Sequence, residues 1–243
     1  MIEQYFSLKD KVAIITGGAS GIGQEIAKFY SEKQAKVIIL DRQPPKLNNF
    51  DSFYEVDVTN EKDVEHAIEQ IIERDKKIDI LVNSAGIVRL ENAESLSLMD
   101  WQQTLDINLT AVYRLCQVVG KHFIRQRSGK IINLASQAGV IALDKHLAYC
   151  VSKAGVISLT KVLAIEWGPF NIQVNAISPT VVMTELGKQA WSGEIAEQMK
   201  QKIPMRRFAE PEEIAAAAVF LATSGADMIT GENLVIDGGY TVQ

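Results

Sequence analysis

The sequence predicts a single α/β domain over residues 1–243: a doubly wound parallel sheet with helices on both faces. Three observations carry that prediction. Short runs rich in Val and Ile alternate with longer helix-like stretches. Those runs are almost continuously apolar, as strands buried on both faces must be. No Pro/Ser-rich linker, internal repeat or low-complexity tract divides the chain. Alternating strands and helices are the pattern of parallel strands joined by crossover helices.

"VAIIT" at Val12–Thr16 reads as the first strand and residues 21–33 as the first helix. "KVIIL" follows as a strand, then "RQPPK" at 42–46 as a loop, then "SFYEV" as a third strand. Residues 61–75 form the next helix and "IDILVN" the fourth strand. Residues 101–126 read as one long helix, "KIINLAS" as the fifth strand and 148–167 as another helix. After the strand "IQVNAIS", residues of about 183–204 are polar and mixed and break the rhythm, which suggests a substrate lid. A helix over 211–223 and the strand "NLVID" complete the chain.

With 243 residues, 47% of them hydrophobic, there is material for one large core. The net charge of −5 and the lack of a Lys/Arg run argue against nucleic-acid or anionic-membrane partners. The apolar run at 215–222 is too short for a bilayer, and "MIEQYFSLKDK" lacks the apolar centre of a signal peptide. Cys116 and Cys150 belong to no C-x-x-C or Cys/His cluster, so neither a disulfide framework nor a metal site is expected. The expectation is a cytoplasmic protein acting on a small molecule.

"TGGASGIG" lies between the first strand and first helix, with Gly17, Gly21 and Gly23 as G-x-x-x-G-x-G. Glycines let a backbone turn sharply beside a pyrophosphate, and the helix N-terminus offers unpaired N–H groups to it. An ordinary Gly-rich turn would look the same. The second strand ends at Asp41, however, where a carboxylate can accept hydrogen bonds from both hydroxyls of an adenosine ribose. That carboxylate would repel a 2′-phosphate, which favours NAD over NADP, although Arg42 next to it could hold a phosphate. Asp57 and Val58 could border an adenine, and "NSAG" at 83–86 ends the fourth strand, where ligands of open α/β sheets bind.

Ser136 follows the fifth strand, and Tyr149 and Lys153 share one face of the next helix at i, i+4. A free phenol titrates near 10 and is a weak base at neutral pH. A neighbouring ammonium is expected to lower that value. Together the three groups suit proton exchange with an alcohol while its hydride moves to a nicotinamide. Taken singly, each is as well read as a packing tyrosine, a solvated lysine or a strand-end cap.

As a set, "TGGASGIG", Asp41, "DV" at 57–58, "NSAG", Asn108, Ser136, "YCVSK" and "SPTVVMT" at 178–184 resemble the short-chain dehydrogenase/reductase family over nearly the whole chain. The resemblance implies a Rossmann fold and a tetrad of Asn108, Ser136, Tyr149 and Lys153. Asn108 would hold a water linking Lys153 to solvent. It also implies cofactor contacts from Gly17, Ser20, Gly21, Ile22, Gly23, Asp41, Arg42, Asp57, Val58, Asn83, Ala85 and Gly86. Tyr149, Lys153, Pro179, Val182 and Thr184 complete that set. Two departures stand out: Ser84 replaces the second Asn of "NNAG", and Thr180 replaces the Gly of the usual Pro-Gly. The second puts a bulkier, stiffer residue near the nicotinamide.

"SPTVVMTELG", Gln137, His146 and Trp191 further resemble the polyol dehydrogenase and L-xylulose reductase branch. That branch implies a substrate pocket lined by Ser136, Gln137, His146, Tyr149 and Trp191. With Asp41 it points to an NAD-dependent polyol dehydrogenase. A 3-oxoacyl thioester reductase is the alternative, for which "PMRRF" at 204–208 could form a basic docking patch. The surplus apolarity of the helices at 101–126 and 148–167, together with the family, implies a homotetramer.

Overall fold

The computed structural model describes residues 2–46, 48 and 50–242. Among the described residues seven strands form one parallel sheet: β1 (Val12–Thr16), β2 (Lys36–Asp41), β3 (Ser52–Glu55), β4 (Ile80–Asn83), β5 (Gly129–Leu134), β6 (Ile172–Pro179) and β7 (Asn233–Ile236). Their order is β3-β2-β1-β4-β5-β6-β7. The chain winds outward from β1 to β3, then returns across β1 to start β4. The loops leaving β1 and β4 therefore part in opposite directions and open a crevice at their C-terminal ends.

Period-two alternation divides each strand between two cores. Val12 and Ile14 of β1 join one apolar cluster, and Ala13 and Ile15 join the other. The helices α1 (Gly21–Glu32) and α8 (Pro211–Ala222) cover one face, with Tyr30 donating its hydroxyl to Ala218 O at 3.0 Å between them. The other face is covered by α2 (Glu61–Asp75), α4 (Ala111–Gln126) and α5 (Leu147–Trp167). Local chemistry sets the helix ends. Asn60 Oδ1 accepts from Lys62 N at the start of α2, and Lys76 closes it at φ 64°. Pro211 opens α8 inside a capping box between Glu210 and Glu213.

The helix expected over 101–126 is three pieces. It begins as α3 (Leu98–Leu105), capped where Ser97 Oγ accepts from Asp100 N. A π-helical turn (Asp106–Thr110) joins α3 to α4. A π turn leaves the apolar pattern nearly unbroken, so periodicity alone does not reveal it. The polar stretch after β6 holds two short helices, α6 (Glu185–Ala190) and α7 (Gly193–Lys202), around a small cluster of Ala196, Ile203 and Phe208. The C-terminal turn docks on it: Asp237 accepts from Gly239 N and Thr241 N, and Met205 N donates to Gly238 O.

Residues Leu147–Phe170 are long and apolar enough to cross a membrane. In the fold this helix carries Val156, Ile157 and Leu163 into the sheet-facing core and leaves Val151, Val162 and Ile165 exposed, Ile165 at 79%.

One polar chain crosses the apolar layer beneath α5. Asn83 Nδ2 donates to Asn133 Oδ1 at 2.8 Å, Asn133 Nδ2 to Thr160 Oγ1 at 2.9 Å, and Thr160 Oγ1 to Val156 O at 2.8 Å. It ties β4, β5 and α5 together just below the crevice. Asn133→Leu takes the oxygen acceptor from the buried Asn83 amide and the donor from Thr160 Oγ1, and should lower stability by about 2 kcal/mol. Chemical denaturation followed by circular dichroism measures this, and a neutral variant would mean the chain adds no stability.

Candidate active site

The glycine turn is built by close approach. Gly17 sits at φ 66°, and a Cβ there would lie 2.8 Å from the Ala85 backbone at the end of β4. A Cβ on Gly23 would collide with Gly17 O. The turn is thus folded tightly between α1 and the "NSAG" segment, where no side chain fits. Ser20, the N-cap of α1, makes no side-chain capping bond. The first N–H groups of α1 accordingly keep their capacity for an anion. Asp41 locks the turn from the side: its Oδ2 accepts from Ala19 N at 3.0 Å and its Oδ1 from Gln43 N at 3.1 Å. This cradle, with a carboxylate at the tip of β2, fits an NAD pyrophosphate and ribose.

Neighbouring positions sort themselves around it. Arg42 leans to Asp57, Nε to Oδ2 at 3.9 Å, so it does not stand free as a phosphate ligand. Asp57 accepts from Thr59 Oγ1 and Thr59 N, and the hydroxyl bond holds its carboxyl below the usual range. Val58 is buried and Ile22 half-buried. Asn83 departs from expectation: its side-chain amide turns inward to Asn133 and Cys116, leaving only its main chain at the crevice. Thr16, which sequence reading passed over, shapes the turn instead. Its Oγ1 accepts from Ser84 N at 3.1 Å and Ala85 N at 3.3 Å. A threonine ending a strand gives no sign of this.

Past β6, Pro179 is buried and Val182 bridges to Ala209. Thr184 caps α6 by accepting from Gly187 N at 3.1 Å. A Cβ on Gly21 would touch Thr184 Cγ2 at 3.5 Å, so the start of α6 lies over the glycine turn.

The Tyr149 and Lys153 side chains rise from the first two turns of α5. Lys153, only 6% exposed, donates from Nζ to Leu134 O at 2.6 Å, and its Nζ lies 5.7 Å from the Tyr149 ring centroid. Gly86 passes so close that a Cβ there would meet Lys153 Nζ at 3.7 Å and Asn108 Oδ1 at 3.3 Å. Asn108, fully buried in the π turn, clamps the strand end: Oδ1 accepts from Ile87 N and Nδ2 donates to Ile87 O, both at 2.8 Å. Its Nδ2 also reaches Ser152 Oγ at 3.2 Å, and Ser152 Oγ donates to Tyr149 O at 2.7 Å. The amide of Asn108 is thus engaged in holding β4 to α5.

Burial governs the two titrating groups, contrary to the expectation that Lys153 lowers the phenol. Desolvation pushes the Tyr149 phenol up, against the opposing pull of a hydrogen bond with Ser136. Desolvation also brings the Lys153 ammonium down to about 8. Burial thus drives the two groups apart, the ammonium losing its proton before the phenol. Ser136 ends β5 in extended backbone, and its Oγ accepts from Ala138 N at 3.1 Å.

Gln137 beside it is 3% exposed, and its Oε1 has no partner. His146 packs edge-on to Tyr149 with ring centroids 6.2 Å apart. Its Nδ1 must donate to Asp144 O, at 2.5 Å, which leaves Nε2 without a part in that bond. Trp191 packs on the small cluster around α7, its ring 5.6 Å from that of Phe208. The basic patch expected at "PMRRF" is not free either, because Arg207 forks onto Glu213 at 2.6 and 2.7 Å.

Comparison with known proteins agrees with this geometry. A family model described as Enoyl-(Acyl carrier protein) reductase matches residues 17–241. The chain is 50% identical to an NAD-dependent glycerol dehydrogenase of Listeria innocua, covering 98% of this chain and 96% of that one. It is 48% identical to a D-threitol dehydrogenase of Mycolicibacterium smegmatis, covering 98% and 95%. A 3-oxoacyl-[acyl-carrier-protein] reductase of Chlamydia pneumoniae is 37% identical over 97% and 98%. The crystal structure of gox2181 superposes with a TM-score of 0.96 at 34% identity, covering 100% of both chains. Sequence, topology and the arrangement around Tyr149 agree: the chain belongs to the short-chain dehydrogenase/reductase family.

Proposed function

We propose that the protein is an NAD-dependent polyol dehydrogenase that oxidises a secondary alcohol of a small sugar alcohol or diol to the ketone. The observation that carries this is the buried Tyr149–Lys153 pair at the crevice that opens beside the glycine turn. Half-identity to glycerol and threitol dehydrogenases supports the substrate class. The lower identity to the 3-oxoacyl reductase and the pairing of Arg207 weigh against an acyl-carrier partner.

In this mechanism Tyr149 Oη takes the hydroxyl proton of the substrate as its carbon gives up hydride, and returns it in the reverse direction. Bound NAD supplies the hydride acceptor. Ser136 Oγ hydrogen-bonds the substrate oxygen and holds it toward the phenol. Lys153 steadies the phenolate with its charge and passes the proton on. Asn108 sets the spacing by fixing Ile87 and, through Ser152, the first turn of α5. A relaying water would be met by the main chain of Asn108, since its amide is engaged. The turn Gly17–Gly23, with Ser20 and Ile22, receives the pyrophosphate and Asp41 the ribose. Val58 borders the adenine, the backbone of Asn83, Ala85 and Gly86 the adjoining ribose, and Pro179, Val182 and Thr184 the nicotinamide. Gln137 and His146 meet substrate hydroxyls, and α6 and α7 with Trp191 form the lid. The exposed apolar side chains of α5 support association with other copies, which this reading takes as a homotetramer, and it places the enzyme in the cytoplasm.

The direct test follows nicotinamide absorbance with small polyols, plain alcohols and a 3-oxoacyl thioester. Polyols should be turned over with NAD, and Tyr149→Phe should lower kcat at least about a hundredfold. Turnover of the thioester alone, or an undiminished Tyr149→Phe enzyme, contradicts the reading.

Asp41→Ala should lower kcat/KM for NAD about tenfold or more and narrow the preference against NADP. Steady-state kinetics with both cofactors measures it. An unchanged ratio would show that the carboxylate serves only Ala19 and Gln43.

A further inference from the structure

The register of two strands brings two unsatisfied oxygens to one rim of the site. β5 and β6 run in parallel with Leu134 opposite Ile177, and Ala135 N still donates to Ile177 O at 2.8 Å beyond that pair. Gln137 opens the 3-10 turn (Gln137–Gly139) just past β5, and Thr180 follows the last residue of β6, so both leave the same edge of the sheet. Their backbones are held: Thr180 N donates to Ile236 O at 3.0 Å, and Gln137 O accepts from Val140 N at 2.8 Å. Their side chains are not. Gln137 Oε1 and Thr180 Oγ1 are two of the five buried side-chain polar atoms without a hydrogen-bond partner among the described residues.

A buried polar atom left unpaired costs free energy, and folded proteins rarely tolerate two together without a use. An amide oxygen only accepts, whereas a hydroxyl both donates and accepts. A ligand that satisfies both brings a donating hydroxyl to one and a hydroxyl oxygen to the other. A polyol offers that next to the carbon undergoing reaction, and a plain monoalcohol does not.

We propose that Thr180 is a specificity-determining residue, its hydroxyl acting with Gln137 Oε1 to bind the hydroxyl groups beside the reacting carbon of a polyol. The proposal rests on the polyol reading and adds the group that enforces it. It also gives a purpose to the threonine that stands where the family's glycine would leave open space.

Steady-state kinetics of Thr180→Val, which keeps the shape, and Thr180→Ser, which keeps the hydroxyl, test it on a four-carbon polyol with saturating NAD. Thr180→Val should lose about tenfold in kcat/KM for the polyol, with KM for NAD unchanged, and Thr180→Ser should retain most of the wild-type value. Equal losses in the two variants, no loss in Thr180→Val, or a rise in KM for NAD instead would overturn the assignment. Wild-type turnover of the polyol separates the outcomes. Its absence overturns the polyol reading and this inference together, whereas its presence with an unaffected Thr180→Val enzyme overturns this inference alone.

Discussion

Lys153 holds an ammonium group at 6% exposure, at the meeting point of α5, β4 and β5. A buried cation is costly unless its surroundings are arranged for it, and here they are. The carbonyl of Leu134 accepts from it at the end of β5. Gly86 leaves it room at the end of β4. Asn108 reaches across from the π turn to fix Ile87, and Ser152 links Asn108 to the carbonyl of Tyr149. Moving any of these elements would strand the charge or displace the phenol. The position of the amine thus sets the geometry on which both cofactor and substrate readings depend.

The same crevice joins the two ends of the chain. Thr16 shapes the turn of "NSAG", the glycine turn packs on Ala85, and Thr184 lies over Gly21. From Thr184 the chain enters α6 and α7, whose small apolar cluster carries Trp191, Phe208 and Tyr240. The C-terminal turn, closed on Asp237, is docked to this segment at Met205. The segment and the glycine turn meet where Thr184 lies beside Gly21.

Most of the fold could be read from the sequence because parallel strands buried on both faces write themselves as apolar runs. The pattern located all seven, with shifts of a residue or two at their ends. The proposed proton-transfer group could be picked out because Ser136, Tyr149 and Lys153 follow strand-end and i, i+4 rules. What stayed hidden depends on direction rather than residue type. The inward turn of Asn83, the strand clamp made by Asn108 and the hydroxyl of Thr16 need a three-dimensional partner to be seen. Trp191 read as a pocket wall, and sequence alone gave no sign that its ring would lie 5.6 Å from that of Phe208. The balance between charge and burial at Tyr149 was also beyond reach. Spacing reveals that an amine is near a phenol, but not that desolvation outweighs it.

If the buried pair is the proton-transfer centre, its titration must govern the rate. Oxidation needs the deprotonated base, so kcat/KM for the polyol should rise with pH. Lys153, brought down to about 8 by burial, is the first of the two to lose its proton and can then take up the one that Tyr149 passes on. The most direct measurement is the pH profile of kcat/KM for polyol oxidation in the wild type and in Lys153→Met. The account predicts a limb rising well below pH 10 in the wild type, and a much slower Lys153→Met enzyme whose limb is shifted upward. Superimposable profiles in the two proteins would contradict it.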